Sequence, residues 1–189
     1  MAFSQGALLS NLKLFVCAFV FIACVAVSDV RAANAQVAVV DVQKIMSVSK
    51  AAKSIQQQLE KKREEFQKEF SEHERDLRQT EQSLTEARAT LSAEDFNEKR
   101  QEFENDLLET RKLVQKRRRA LEKAAAEALA ELRNGIVKIV AEIAEKDDYD
   151  LILNRQNIIL VEKSIDITDR VLANLDKSVQ SIQLKVEEK

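Results

Sequence analysis

The chain has no proline and no tryptophan, and only two glycines, two cysteines, one histidine and one tyrosine in 189 residues. Each shortage excludes something. Without proline and nearly without glycine there is little turn material for an all-β sandwich, no Gly-rich phosphate loop and no flexible linker. Both cysteines, Cys17 and Cys24, and four of the eight phenylalanines fall within residues 1–35. The rest is cysteine-free with a single glycine, Gly135, which excludes a disulfide scaffold and a multi-His or Cys-ligated metal site there. Such a chain is built mostly of long helices.

What is present begins with a processing signal. Lys13 precedes an apolar run from Leu14 to Val27, and Ala33-Asn34-Ala35 stands before Gln36. A short apolar core with a small-residue exit is the form of a secretory signal peptide, and the run is too short to cross a bilayer of roughly 30 Å as a helix. Cleavage is expected after Ala35, with Ala32 as second choice. The competing readings are an uncleaved anchor and a lipidated Cys24, the latter poorly matched because Phe21 stands where such sites usually place Leu or Val. Removal discards both cysteines, so the exported chain meets an oxidising compartment without a thiol.

The remainder has compositional zones. Without Lys13, Arg31 and Asp29 it carries 28 basic and 31 acidic residues, a balance that gives no argument for nucleic acid. From Lys50 to Gly135 only 16 of 86 residues are large and apolar, against 22 of 51 from Ile136 to Val186. The first zone can bury only a narrow seam; the second can build a core.

The seam has a period. Phe70, Leu77, Leu84 and Leu91 recur every seven residues, with Leu59 and Phe66 at the other core position, and the spacing returns in Phe96 and Phe103 and in Leu107, Val114 and Leu121. Leu77 with Leu107 and Phe70 with Val114 are symmetric about Ser92, which is followed by Ala93-Glu94-Asp95, a good helix start. The expected form is an antiparallel helical hairpin over 50–135 with its tip near 91–93 and an arm on the order of 60 Å long. One continuous rod through Ser92 is the competing form, since no glycine forces a turn.

At the ends of the hairpin the pattern changes to strands. Gln36–Val42, with Val37, Val39, Val40 and Val42, reads as the first. Tyr149–Asn154, with Leu151, Ile152 and Leu153, and Asn157–Val161, with Ile158, Ile159 and Leu160, read as two more joined at Arg155-Gln156. Thr168 then caps a last helix, with Ile167 and Leu172 placed as a hydrophobic staple. The fold class expected is mainly α with a small β body, α+β, the arm inserted between the first and second strands and a C-terminal helix closing the chain. Residues 36–49 and 136–189 make the discontinuous body. So small a body, so rich in apolar residues, points to burial against copies of itself.

The segments Ala38-Val-Val-Asp-Val-Gln-Lys-Ile45, Tyr149-Asp-Leu-Ile-Leu153 and Asp166-Ile-Thr-Asp-Arg-Val-Leu172, in this order around a long charged hairpin and behind a signal peptide, resemble the Skp/OmpH-like family of periplasmic outer-membrane-protein chaperones. The resemblance covers residues 36–180. It implies a homotrimer whose strands associate centrally while three arms enclose a cavity. It further implies that unfolded outer-membrane β-barrel proteins are held there without nucleotide hydrolysis or any cofactor. A closed threefold interface would cover strand edges that one chain leaves bare. The resemblance also raises lipopolysaccharide or an anionic membrane surface as a partner.

Charge departs from that of the best-known member of that family, which is strongly basic. Residues 74–110 sum to −6 and 111–123 to +6. The band Arg111, Lys112, Lys116, Arg117, Arg118, Arg119 and Lys123 is the candidate contact for acidic clients or lipid phosphates, because clustered cations steer anions. It reads equally as a solvated face paired with Glu64, Glu65, Glu69 and Glu72 across the hairpin. Phe66, Phe70, Phe96 and Phe103 have the spacing of arm packing more than of client contact. His73 falls on the seam as an incidental polar residue or a pH-responsive one. Gly135 is a candidate hinge between arm and body, or a point of close packing. Asp147 and Asp148 place acids at a helix end, against the dipole.

Carboxylates are abundant, but none has a second element to desolvate it and no nucleophile–base pair stands out, so an enzyme is not expected. The rival class is a structural coiled coil or scaffolding protein of the cell envelope. It would need no apolar strand module with an arm inserted in it. The Arg117-Arg118-Arg119 run is weak evidence for nucleic acid against an export signal.

Overall fold

A computed structural model of the chain describes residues 35–187. The export signal up to Asn34 lies outside that range. Residues from Gln36 onward form one compact unit.

Strand β1 is Val37–Val40. It stops because Asp41 turns the chain, its carboxylate accepting the Lys44 N–H at 2.8 Å to cap helix α1, Val42–Val48. Val42 therefore belongs to a helix and not to the first strand, a correction to the reading above. Ser49, fully buried, breaks the helix with extended backbone and caps α2, Lys50–Ala87, by accepting the Ala52 N–H at 3.2 Å.

The turn at the far end spans 88–92. Ser92 accepts the Asp95 N–H at 3.2 Å and donates its hydroxyl to the Asp95 carboxylate at 2.7 Å, with Glu94 and Asp95 in the first turn of α3, Ala93–Lys146. The arm is two helices, not one rod, and α2 ends at Ala87, so the turn is centred slightly before the expected tip. At 1.5 Å per residue the 38 and 54 residues of α2 and α3 measure about 57 and 81 Å.

Helix α3 ends where Asp148 takes the left-handed conformation, φ 52°, and the Tyr149 N–H returns to the Ala144 carbonyl at 3.0 Å. This is the six-to-one closure that a helix terminus uses to satisfy its last carbonyls. Asp147 is ion-paired with Arg170, and that guanidinium lies 5.9 Å from the Tyr149 ring centre. The acids that opposed the dipole on paper are thus one turn residue and one paired residue.

Strand β2, Leu151–Asn154, lies parallel to β1 in the register Val37↔Leu151 to Val40↔Asn154. The expected third strand is absent. Arg155–Asn157 make a 3₁₀ turn, with the Asn154 side chain accepting the Gln156 N–H at 3.2 Å, and residues 158–161 pair with no strand among the described residues. Arg155-Gln156 lacks the glycine or asparagine that a two-residue hairpin needs for positive φ, so the chain does not fold back on β2. Ile158, Ile159 and Leu160 are therefore not strand residues within one chain. On its other side β1 meets Asp166, and the Ile167 N–H donates to the Val39 carbonyl at 2.9 Å.

Helix α4, Thr168–Ser178, starts from Asp166, whose carboxylate accepts the Thr168 N–H at 2.9 Å. The Thr168 hydroxyl instead accepts the Asp41 N–H at 2.9 Å, tying α4 to the end of β1. Asp166, not Thr168, supplies the capping side chain. Ile167 is buried and Leu172 packs on the same core, as a staple requires.

The core sits at the base of the arm. Ile45, Leu132, Ile136, Val171 and Leu175 are fully buried and join Ala38, Ile55 and Ile143 in one cluster. Beyond Leu59 on α2, and from Ala93 up to Ala124 on α3, no side chain is fully buried; the heptad residues from Phe66 to Leu121 stay half-exposed. Two helices make a seam, and only the base adds further layers.

Candidate functional site

Three surfaces carry features that packing alone does not explain. The first is the basic band. At 100° per residue Lys112, Lys116, Arg119 and Lys123 fall on one stripe of α3 opposite the seam, all exposed. Arg118 pairs with Glu122 at 2.9 Å, and Lys123 with Glu187 at 3.1 Å, which raises the Lys123 pKa. Arg119 donates to the Gln115 carbonyl at 3.2 Å. Arg111, Lys112 and Lys116 form no ion pair among the described residues, so the band keeps a free cationic face. Of the carboxylates expected across the hairpin only Glu69 meets the band, through Arg117; Glu65 pairs with Lys62 on its own helix, which lowers the Glu65 pKa.

The second is a groove of about 620 Å³ between the arm helices, walled by Leu59, Phe66, Phe70, Val114 and Leu121 and rimmed by Arg63, His73, Arg117 and Arg118. Arg117 bridges it. Its Nη2 lies 3.1 Å from Glu69, its guanidinium 5.1 Å from the Phe66 ring centre, and its Nε is buried with no acceptor. Phe66 and Phe70 thus pack the seam and line an opening at once, because two helices cannot enclose them.

The third lies on the body. Ile159 and Leu160 are almost fully exposed at 106% and 89%, and Leu151 and Leu153 of β2 are half-exposed. The second edge of β2 pairs with no strand among the described residues. An unpaired strand edge leaves main-chain groups open to further pairing, and exposed large apolar side chains are uncommon on a lone chain. Val37, Val39 and Val40 lie inward by comparison, and Ile152 packs against the core.

Gly135 lies inside the unbroken α3 between fully buried Leu132 and Ile136, and a Cβ there would stand 3.7 Å from Leu175 Cδ1, an ordinary contact. Sequence reasoning missed the tail. Residues 179–187 fold back along the base of the arm, where Gln58 donates to the Ile182 carbonyl at 2.7 Å and accepts the Leu184 N–H at 3.0 Å. The alternation Ser181-Ile-Gln-Leu-Lys-Val-Glu187 was its signal.

These features define a protein with a long helical arm on a small α/β base, and the comparisons agree on that fold. Residues 36–175 match the family described as outer membrane protein (OmpH-like), and the chain belongs to that family, a non-enzymatic one. A crystal structure described as an OmpH-like outer membrane chaperone from Caulobacter crescentus superposes with a TM-score of 0.77 at 16% identity, covering 82% of this chain and 92% of that one. That likeness is one of fold. No curated protein matches in sequence.

Proposed function

We propose that this chain is an ATP-independent periplasmic holdase that assembles as a homotrimer and shelters unfolded outer-membrane β-barrel proteins between its arms. One observation carries the reading: the body leaves Leu151 and Leu153 of open-edged β2 and the following Ile159 and Leu160 exposed, while the two long helices bury no side chain fully outside the base of the arm. Copies associating through Leu151, Leu153, Ile159 and Leu160 would bury what each leaves bare and set the arms around a common space. Family membership and the chaperone likeness support the role and its periplasmic setting.

Within that space the band led by Arg111, Lys112 and Lys116 is the proposed contact for acidic client segments, lipopolysaccharide or an anionic membrane surface. Many weak contacts of this kind hold an unfolded chain without a fixed epitope. The test is co-elution: a barrel protein diluted from urea is expected to leave a sizing column with three copies of this chain, and failure to co-elute at several-fold excess refutes the role.

A further inference from the structure

We infer that the base of the arm is a seat for one extended, alternately apolar strand of an unfolded β-barrel client, and that the chain's own tail holds this seat until such a strand displaces it. The inference rests on the holdase reading above.

The tail has the form of a strand without a sheet. Residues 181–187 contain no helix, turn or bend; Ile182 is 3% exposed, Leu184 and Val186 are half-buried, and Ser181, Gln183, Lys185 and Glu187 face solvent. A period of two is the period of a β-strand, and the strands of outer-membrane barrels alternate apolar and polar in the same way. The seat receives it as a strand would. The Gln58 amide meets the Ile182 carbonyl and the Leu184 N–H, the two main-chain groups flanking Gln183 that a neighbouring strand would satisfy. Ser54 fixes the amide's orientation, its hydroxyl accepting from Gln58 Nε2 at 3.0 Å. Main-chain recognition with room for alternate apolar side chains admits many sequences of one pattern, which is what a barrel chaperone meets.

The occupant is anchored at Ile182 in the core and held more lightly further out. Its end is tied by Lys123 and Glu187, an exposed pair that contributes little. The family match stops at Leu175, before the tail begins.

The probe is a fluorescent peptide with the sequence of residues 179–187, titrated by anisotropy into full-length chains. Ile182→Asp places a charge in the core and is expected to eject the tail, so this variant binds the peptide at least tenfold more tightly than wild type. Adding Gln58→Ala to it is expected to weaken binding at least tenfold. Equal affinity of wild type and Ile182→Asp, with helix content unchanged by circular dichroism, overturns the seat, as does a double variant that binds like the single one. Should Ile182→Asp lose helix content, hydrogen exchange on the wild type decides. An unfolded barrel protein is expected to speed exchange of the Leu184 amide, and unchanged exchange despite co-elution overturns displacement. A seat that binds peptide in a chain that never co-elutes with a barrel would sink the holdase reading alone.

Discussion

Arg117 joins the two arm helices through Glu69 at 3.1 Å while its guanidinium lies 5.1 Å from the Phe66 ring centre. The same side chain buries an Nε with no acceptor, a desolvation cost that is not returned. Arg117→Met keeps an apolar stem against Phe66 and removes both the pair and the orphan, so stability should change by less than about 0.5 kcal/mol. Glu69→Ala strands the cation and should cost about 1 kcal/mol. Urea midpoints followed by circular dichroism separate the two; an equal loss for both would contradict this account of the crossing.

Asp166 sets a pH dependence. Burial, the largest single influence, pushes its pKa up, but hydrogen bonds from Thr168 and the Arg155 guanidinium outweigh it and hold the carboxyl below its usual value of 3.8. A pKa lowered by folding contributes stability above the unfolded value and loses it as pH falls through the folded one. Asp166→Asn should therefore be less stable than wild type near neutral pH by about 1 kcal/mol, with the gap closing below about pH 4. A gap that persists into acid would show that charge is not the cause.

Asp148 occupies a left-handed position, φ 52°, that glycine adopts without a Cβ penalty. Asp148→Gly is expected to stabilise the chain by about 0.5–1 kcal/mol, read as a rise in Tm. A fall in Tm would mean that the exposed carboxylate has a partner of its own.

Stability should decline along the arm. Leu132, fully buried, is expected to cost about 2–5 kcal/mol when cut to Ala, whereas half-exposed Leu84 near the turn should cost under about 1 kcal/mol. Similar losses at both would contradict a core confined to the base.

How much of this was legible follows from the range of each signal. The heptads of α2 and α3 and the Ser92 cap are local patterns, and they read directly from residues such as Phe70, Leu77 and Val114. Val42 was misplaced because Asp41 ends a strand and starts a helix in one step, which a β-branched run conceals. The segment Ile158–Val161 has strand propensity but no strand beside it in its own chain, and propensity does not supply a partner. Gln58 was invisible because its role depends on Ile182 and Leu184, more than 120 residues away, and the groove at Phe66 exists only once two helices stand side by side.

The central claim is that this chain keeps unfolded barrel proteins from aggregating, and light scattering tests it most directly. A urea-unfolded outer-membrane barrel protein is diluted with and without a slight molar excess of residues 36–189 counted as trimer. The account predicts that scattering is suppressed and that suppression weakens with added salt, as the free cations Arg111, Lys112 and Lys116 require. Unchanged scattering at several-fold excess would contradict it and leave a client-free coiled coil of the cell envelope as the better description.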